Sequence, residues 1–156
     1  MRQEGKVGVA VPQPNTICSN AAIGACARAA AWKAAVALFA EMPRDRLVRD
    51  SISYNATITA CGRGRRWDAA LVLLQHMRRE SIAAGAVTCG AAVSACENAS
   101  HWDWALQLLA SAHQETLHPN ILAYSAAMNA CGKGHHWSNA LDLLTQARQS
   151  NLTLDA

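Results

Sequence analysis

Proline is scarce in this chain, with four in 156 residues, and so are aromatics, limited to five Trp, two Tyr and one Phe. So few prolines leave most of the chain open to helix, since proline is the residue that most strongly breaks it. Nowhere does an apolar run approach the ~18 residues that a membrane-crossing helix needs, which excludes a helical membrane protein. The first 15 residues include acidic Glu4, lack a hydrophobic segment and are not rich in Ser and Arg, so they make a poor signal or transit peptide. Charged residues are only 16% of the chain, yet 51% is hydrophobic, too apolar for disorder. Missing too are a phosphate-cradling glycine loop, a dinucleotide fingerprint and a nucleophile with an adjacent base. Catalysis therefore has no support, and neither a cofactor nor a small-molecule substrate is expected. His113-Gln114-Glu115 fits the H-x-E of zinc deaminases, but no C-x-x-C follows it.

What the chain has in excess is alanine, 33 residues, which favours helix because Ala loses the least rotamer entropy there. Charge is unevenly placed. Residues 28–79 carry ten Lys and Arg against Glu41, Asp45, Asp50 and Asp68, whereas residues 80–156 carry Lys133 and Arg148 against six acids. A basic first half points to a polyanionic partner, although such runs are also simply solvated faces.

The strongest signal is a period. Trp32, Trp67, Trp102 and Trp137 stand 35 residues apart, and so do Cys26, Cys61, Cys96 and Cys131. Ala21/56/91/126, Ala25/60/95/130, Ala35/70/105/140 and Leu38/73/108/143 keep the same spacing. Self-similarity of this kind is the mark of a solenoid. The copies are 16–50, 51–85, 86–120 and 121–155, after a leader over 1–15 that ends in the tail of a preceding copy. In the second copy, Tyr54, Ile58 and Cys61 share one stripe of a helix over about 53–61, and Trp67, Ala70, Leu71, Leu74 and Met77 repeat at helical spacing over about 67–77. Gly62 and Gly64 between them offer a left-handed C-cap. A lone hairpin of this size cannot bury its apolar face, so stability must come from stacking on neighbours. The expected fold is an all-α solenoid of four 35-residue helix-turn-helix repeats.

The cysteine ladder tempts a metal or disulfide reading. Stacked helices lie about 8–10 Å apart, whereas a disulfide needs Cα atoms within ~4.4–6.8 Å and zinc needs ligands at ~2.3 Å. One Cys per copy meets neither demand, so these are expected to be reduced core residues, with no metal. The Trp column is expected in the core, anchoring each second helix. His101 and His136 share a column and are expected in exposed turns, too far apart to act as ligands; Trp104 lies outside the Trp column and has no assigned role.

Ile52-Ser-Tyr54-Asn55-Ala56-Thr-Ile58-Thr-Ala60-Cys61-Gly62, followed by Trp67-x-x-Ala-Leu-x-Leu-Leu-x-x-Met77, resembles the pentatricopeptide repeat family over residues 16–155. The rival tetratricopeptide repeat has a period of about 34 and places its Trp early in the first helix. The resemblance implies a right-handed superhelix that binds single-stranded RNA at one base per repeat. It implies base-reading pairs Asn20/Asp50, Asn55/Gly85, Gly90/Asn120 and Ser125/Asp155. The first pair suggests U, the second a pyrimidine, the third A and the fourth G, although Gly90 has no side chain to read with. Ile17, Ile52, Val87 and Leu122 correspond to base-sandwiching positions, and Arg28, Arg63 and Lys133 to phosphate contacts, with Asn98 breaking that column. Taken singly, Asn20 and Asn55 are equally good helix caps, and Ile17 and Ile52 equally good packing residues.

By the same resemblance the chain is expected to be a non-enzymatic RNA-binding protein of chloroplast or mitochondrion, acting in RNA processing, stability or translation. Four bases recur by chance too often to mark one transcript, so a longer array or companion domains are expected. Uncapped ends, around 121–128 and 140–144 at one side, would expose apolar faces to other proteins or a second copy. The alternative is a protein-interaction scaffold on the same fold, favoured by the acidic second half and the irregular third copy.

Overall fold

The computed structural model describes residues 14–114 and 119–149. Among these, the chain forms eight α-helices and no strand: α1 (Pro14–Arg28), α2 (Trp32–Glu41), α3 (Ser51–Arg63), α4 (Trp67–Arg79), α5 (Ala86–Asn98), α6 (Trp102–Gln114), α7 (Ile121–Lys133) and α8 (Trp137–Gln149). The protein is an all-α helical repeat solenoid. No described helix is long and apolar enough to cross a membrane.

Two of the first helices, α3 and α7, start where a side chain satisfies one of their first amide groups. Asp50 Oδ1 accepts from the Ser53 amide at 2.9 Å, and Ser53 Oγ accepts from the Asp50 amide at 3.4 Å, closing a reciprocal cap on α3. Asn120 Oδ1 accepts from the Ala123 amide at 3.0 Å at the start of α7. Each such cap contributes about 1 kcal/mol.

The first helix of each hairpin ends with a six-to-one hydrogen bond onto the cysteine column. Ala31, Arg66, His101 and His136 donate to the carbonyls of Cys26, Cys61, Cys96 and Cys131, each at 2.8 Å. The residue between takes a left-handed backbone: Ala30, Arg65, Ser100 and His135, with φ of 56°, 61°, 62° and 62°. This corrects the expectation that Gly62 or Gly64 supplies the cap; no described glycine has positive φ. Both are glycines because neighbours come close. A Cβ on Gly62 would meet the Cβ of Ala95 at 3.0 Å, and one on Gly64 would lie 2.2 Å from Cδ1 of Trp32.

The helices α1, α3, α5 and α7 stack directly on one another. The second helices α2, α4 and α6 pack on their own first helix and on the next, but do not approach each other as closely. The row of first helices is therefore the compressed side of the stack. Tyr54, Ile58 and Cys61 are fully buried between hairpins, as are Ala70 and Met77. End effects show which way each column faces. Ala60, Ala95 and Ala130 are buried but Ala25 is exposed, so that column faces the preceding hairpin; Ala35, Ala70 and Ala105 are buried but Ala140 only partly, so that one faces the next.

All six cysteines are free, with Cys61, Cys89, Cys96 and Cys131 buried, Cys26 half-buried and Cys18 exposed. Burial disfavours the thiolate and pushes the thiol of Cys61 up to about 11, that of Cys96 up to about 12, and that of Cys131 upward. Among the described residues no group of side chains could hold a metal ion.

The Trp column is not core. Trp32, Trp67 and Trp102 are half-buried and Trp137 is 71% exposed. Each of the first three reaches to the turn of the following hairpin. Trp32 lies under the guanidinium of Arg66 at 4.7 Å, Trp67 against the His101 ring at 4.1 Å, and Trp102 against the His136 ring at 3.7 Å. His101 and His136 are thus half-buried partners of the Trp rings, tilted against them, rather than exposed turn residues. Trp104 gains a role as well, with its ring 5.9 Å from that of Trp67.

Candidate nucleic-acid interface

The second residue of each proposed copy lies in the first turn of a first helix. Ile17, Ile52, Val87 and Leu122 are 60%, 59%, 65% and 67% exposed. Packing would have buried them, so that alternative fails. Four large apolar side chains stand in solvent at a constant interval along the row α1, α3, α5, α7.

Beside this row lie the paired polar residues. Asn20 Nδ2 donates to Asp50 Oδ1 at 3.3 Å, and Ser53 Oγ donates to Asn20 Oδ1 at 2.6 Å. Asn20 on α1 is thereby joined to the cap of α3, 30 residues away. Asn55 and Gly85 meet through Thr88, whose hydroxyl donates to Asn55 Oδ1 at 2.6 Å and accepts from the Gly85 amide at 3.3 Å. Gly90 is buried, and a Cβ there would stand 3.4 Å from Asn120 Oδ1, so this pair also meets. Ser125 is half-buried, and Asp155 lies outside the described residues. The capping alternative is therefore divided. Asp50 and Asn120 do cap helices, whereas Asn20 and Asn55 sit mid-helix and engage the next hairpin. Sequence reasoning missed the linking hydroxyls of Ser53 and Thr88, although their spacing of 35 was the available signal.

The cationic column does something the sequence did not disclose. Arg63 Nη1 donates to the Ala27 carbonyl at 3.2 Å, Asn98 Nδ2 to the Gly62 carbonyl at 3.0 Å, and Lys133 Nζ to the Glu97 carbonyl at 3.5 Å. Each side chain thus reaches 36 residues back to an end carbonyl of the preceding first helix, as a second donor beside the backbone amide of Ala30, Arg65 or Ser100. Asn98, which breaks the run of cations, makes the same stitch as its neighbours. Arg28 and Arg63 are exposed, and a guanidinium has five N–H donors, so Arg63 keeps free donors while it stitches.

Between α3, α5 and α7 these features converge on one groove of about 430 Å³. Val87 and Leu122 from the apolar row, Gly90 and Asn120 from a polar pair, and Arg63 and Asn98 from the stitching column all line it, together with Glu97. An apolar slot with a hydrogen-bonding floor and a cation at its rim suits a flat heteroaromatic ring carrying a nearby anion.

The pentatricopeptide repeat domain matches residues 72–134, and the PPR repeat matches residues 17–47 and 52–82. Among curated proteins no relative matches. Among solved structures, the pentatricopeptide repeat protein PPR10 in complex with an 18-nt psaJ RNA element superposes with a TM-score of 0.82 at 24% identity, over 90% of this chain and 20% of that one. PPR10 from maize gives 0.71 at 24% identity, over 92% and 20%. The PPR domain of Arabidopsis thaliana protein-only RNase P 1 in complex with tRNA gives 0.75 at 11% identity, over 88% and 73%. The chain spans about a fifth of the length of PPR10.

Proposed function

The chain belongs to the pentatricopeptide repeat family, and from that premise we propose that it binds single-stranded RNA along the row of first helices. The observation that carries this reading is the exposed apolar row, Ile17, Ile52, Val87 and Leu122, set beside the polar pairs at the same interval. Apolar side chains at that spacing sandwich successive bases, and the pair between them reads a base edge by hydrogen bonding. Repeats over 16–50, 51–85, 86–120 and 121–155 then take one base each. Asn20/Asp50 selects U, Asn55/Gly85 a pyrimidine, Gly90/Asn120 A and Ser125/Asp155 G. Arg28 and Arg63 hold phosphates, and Lys133 occupies the same column.

The protein acts by binding rather than catalysis, and in keeping with its family it works on chloroplast or mitochondrial transcripts, in their processing, stability or translation. Structural relatives solved with RNA support an RNA partner. The test is a mobility shift with a single-stranded RNA carrying U-C-A-G, beside a scrambled strand and a duplex. Preference for the first strand supports sequence-selective binding. No shift even at low salt, where phosphate attraction is greatest, removes the RNA reading in favour of a protein-interaction scaffold on the same helices.

A further inference from the structure

One residue in the candidate groove opposes the chemistry of the rest. The column 27, 62, 97, 132 reads Ala, Gly, Glu, Gly, so Glu97 is its single large and charged member. Its carbonyl accepts from Lys133 Nζ as part of the stitch, and its carboxylate Oε1 lies 3.4 Å from the same Nζ. Arg63, by contrast, stitches to Ala27, which brings no charge with it. The Glu97 side chain is 21% exposed and that of Lys133 48%, so the acid is held against the groove wall while the amine stays within reach of solvent.

Resting on the RNA reading above, we propose that Glu97 withholds Lys133 from the phosphate track. The strand is then gripped electrostatically only at the first two copies and held by its bases alone from the third onward. Two effects act together. The carboxylate neutralises the ammonium it touches, and it presents a like charge to any phosphate entering the groove. At physiological salt the screening length is about 8 Å, longer than the distance across such a contact, so this repulsion is felt. Asn98, next in sequence, spends its amide donor on the Gly62 carbonyl and supplies no compensating charge. The charge asymmetry of the chain, basic over 28–79 and acidic over 80–156, follows the same division.

The test compares the whole chain with Glu97→Gln, which keeps shape and removes charge, on a fluorescein-labelled single-stranded RNA carrying U-C-A-G. With Lys133 released, one more phosphate is neutralised and the log–log salt slope steepens by about 0.7. Affinity rises, and the advantage over the unaltered chain shrinks about threefold between about 50 and 200 mM salt. Adding Lys133→Ala to Glu97→Gln returns the salt slope to the wild-type value and removes the part of the gain that passes through Lys133, leaving only the smaller gain from relief of the direct repulsion. Glu97→Ala serves as a second charge-removing variant should the first fail to fold, folding being checked by thermal melting. Equal affinity and slope for wild type and variant overturn the proposal while leaving the RNA reading intact. A gain that survives Lys133→Ala undiminished, with the steeper slope, also overturns it, because it does not pass through Lys133. Absence of RNA binding by every form removes the RNA reading and this proposal with it.

Discussion

Trp102 packs against His136, 34 residues further along the chain, with ring centroids 3.7 Å apart and the planes tilted by 35°. The same relationship joins Trp67 to His101 and, with a guanidinium in place of the imidazole, Trp32 to Arg66. It makes the Trp column a set of junction pieces between hairpins. Trp102→Ala is expected to cost about 2–3 kcal/mol in urea unfolding, below the ~3–5 kcal/mol of a fully buried aromatic. Trp137→Ala, at a position 71% exposed, is expected to stay within about 0.5 kcal/mol. Equal losses at the two sites would contradict the junction role.

The backbone at these junctions carries strain that glycine relieves. His135 holds a left-handed φ of 62°, a conformation costing a non-glycine residue about 1–2 kcal/mol. His135→Gly is expected to stabilise the chain by about 1 kcal/mol, a rise of about 2–4 °C in Tm for this size. Its neighbour behaves oppositely. A Cβ on Gly134 would stand 2.6 Å from Trp102 Cδ1, so Gly134→Ala is expected to destabilise by about 1–3 kcal/mol.

The thiols divide by burial. At pH 8 Cys18 is expected to react promptly with a disulfide reagent and half-buried Cys26 more slowly, while Cys61 and Cys96 react only on unfolding. Burial raises the Cys61 and Cys96 thiols in the fold to about 11 and about 12, against 9.0 without burial. Their preference for the neutral form supports the fold fully below pH 9. It is lost as the unfolded chain ionises between pH 9 and about 11, so unfolding midpoints measured from pH 8 to 11 are expected to fall.

Positioning and reading contacts separate on RNA. Arg63→Ala is expected to weaken all single strands alike and flatten the salt slope by about 0.7. Because Arg63 also stitches to the Ala27 carbonyl, the variant loses about 0.5–1.5 kcal/mol of stability, which a pure phosphate contact would not cost.

Asn20→Ser leaves the slope unchanged and moves preference at one position from U towards G, with a mismatched base costing about 1–3 kcal/mol by analogy with other base-reading contacts. Binding curves with U-bearing and G-bearing strands check it. Equal weakening of both would reduce Asn20 to a packing partner of Asp50 and Ser53.

The period of 35, read with the helical stripes, was enough to establish an all-α solenoid, because a helical hairpin too short to fold alone must stack on a like neighbour. The helices α3 and α4 begin within about two residues of their expected starts for the same reason: caps and apolar stripes are local. Equivalence between copies does not say which way a column faces, and only the tertiary structure decided that. It turned Trp67 outward to His101, gave the left-handed turn to Arg65 while Gly62 and Gly64 made room for neighbours, and bent Arg63, Asn98 and Lys133 back to carbonyls 36 residues away. Each is a contact across a junction, set by the offset between adjacent hairpins. A sequence period records the repeat distance along the chain but not that offset in space.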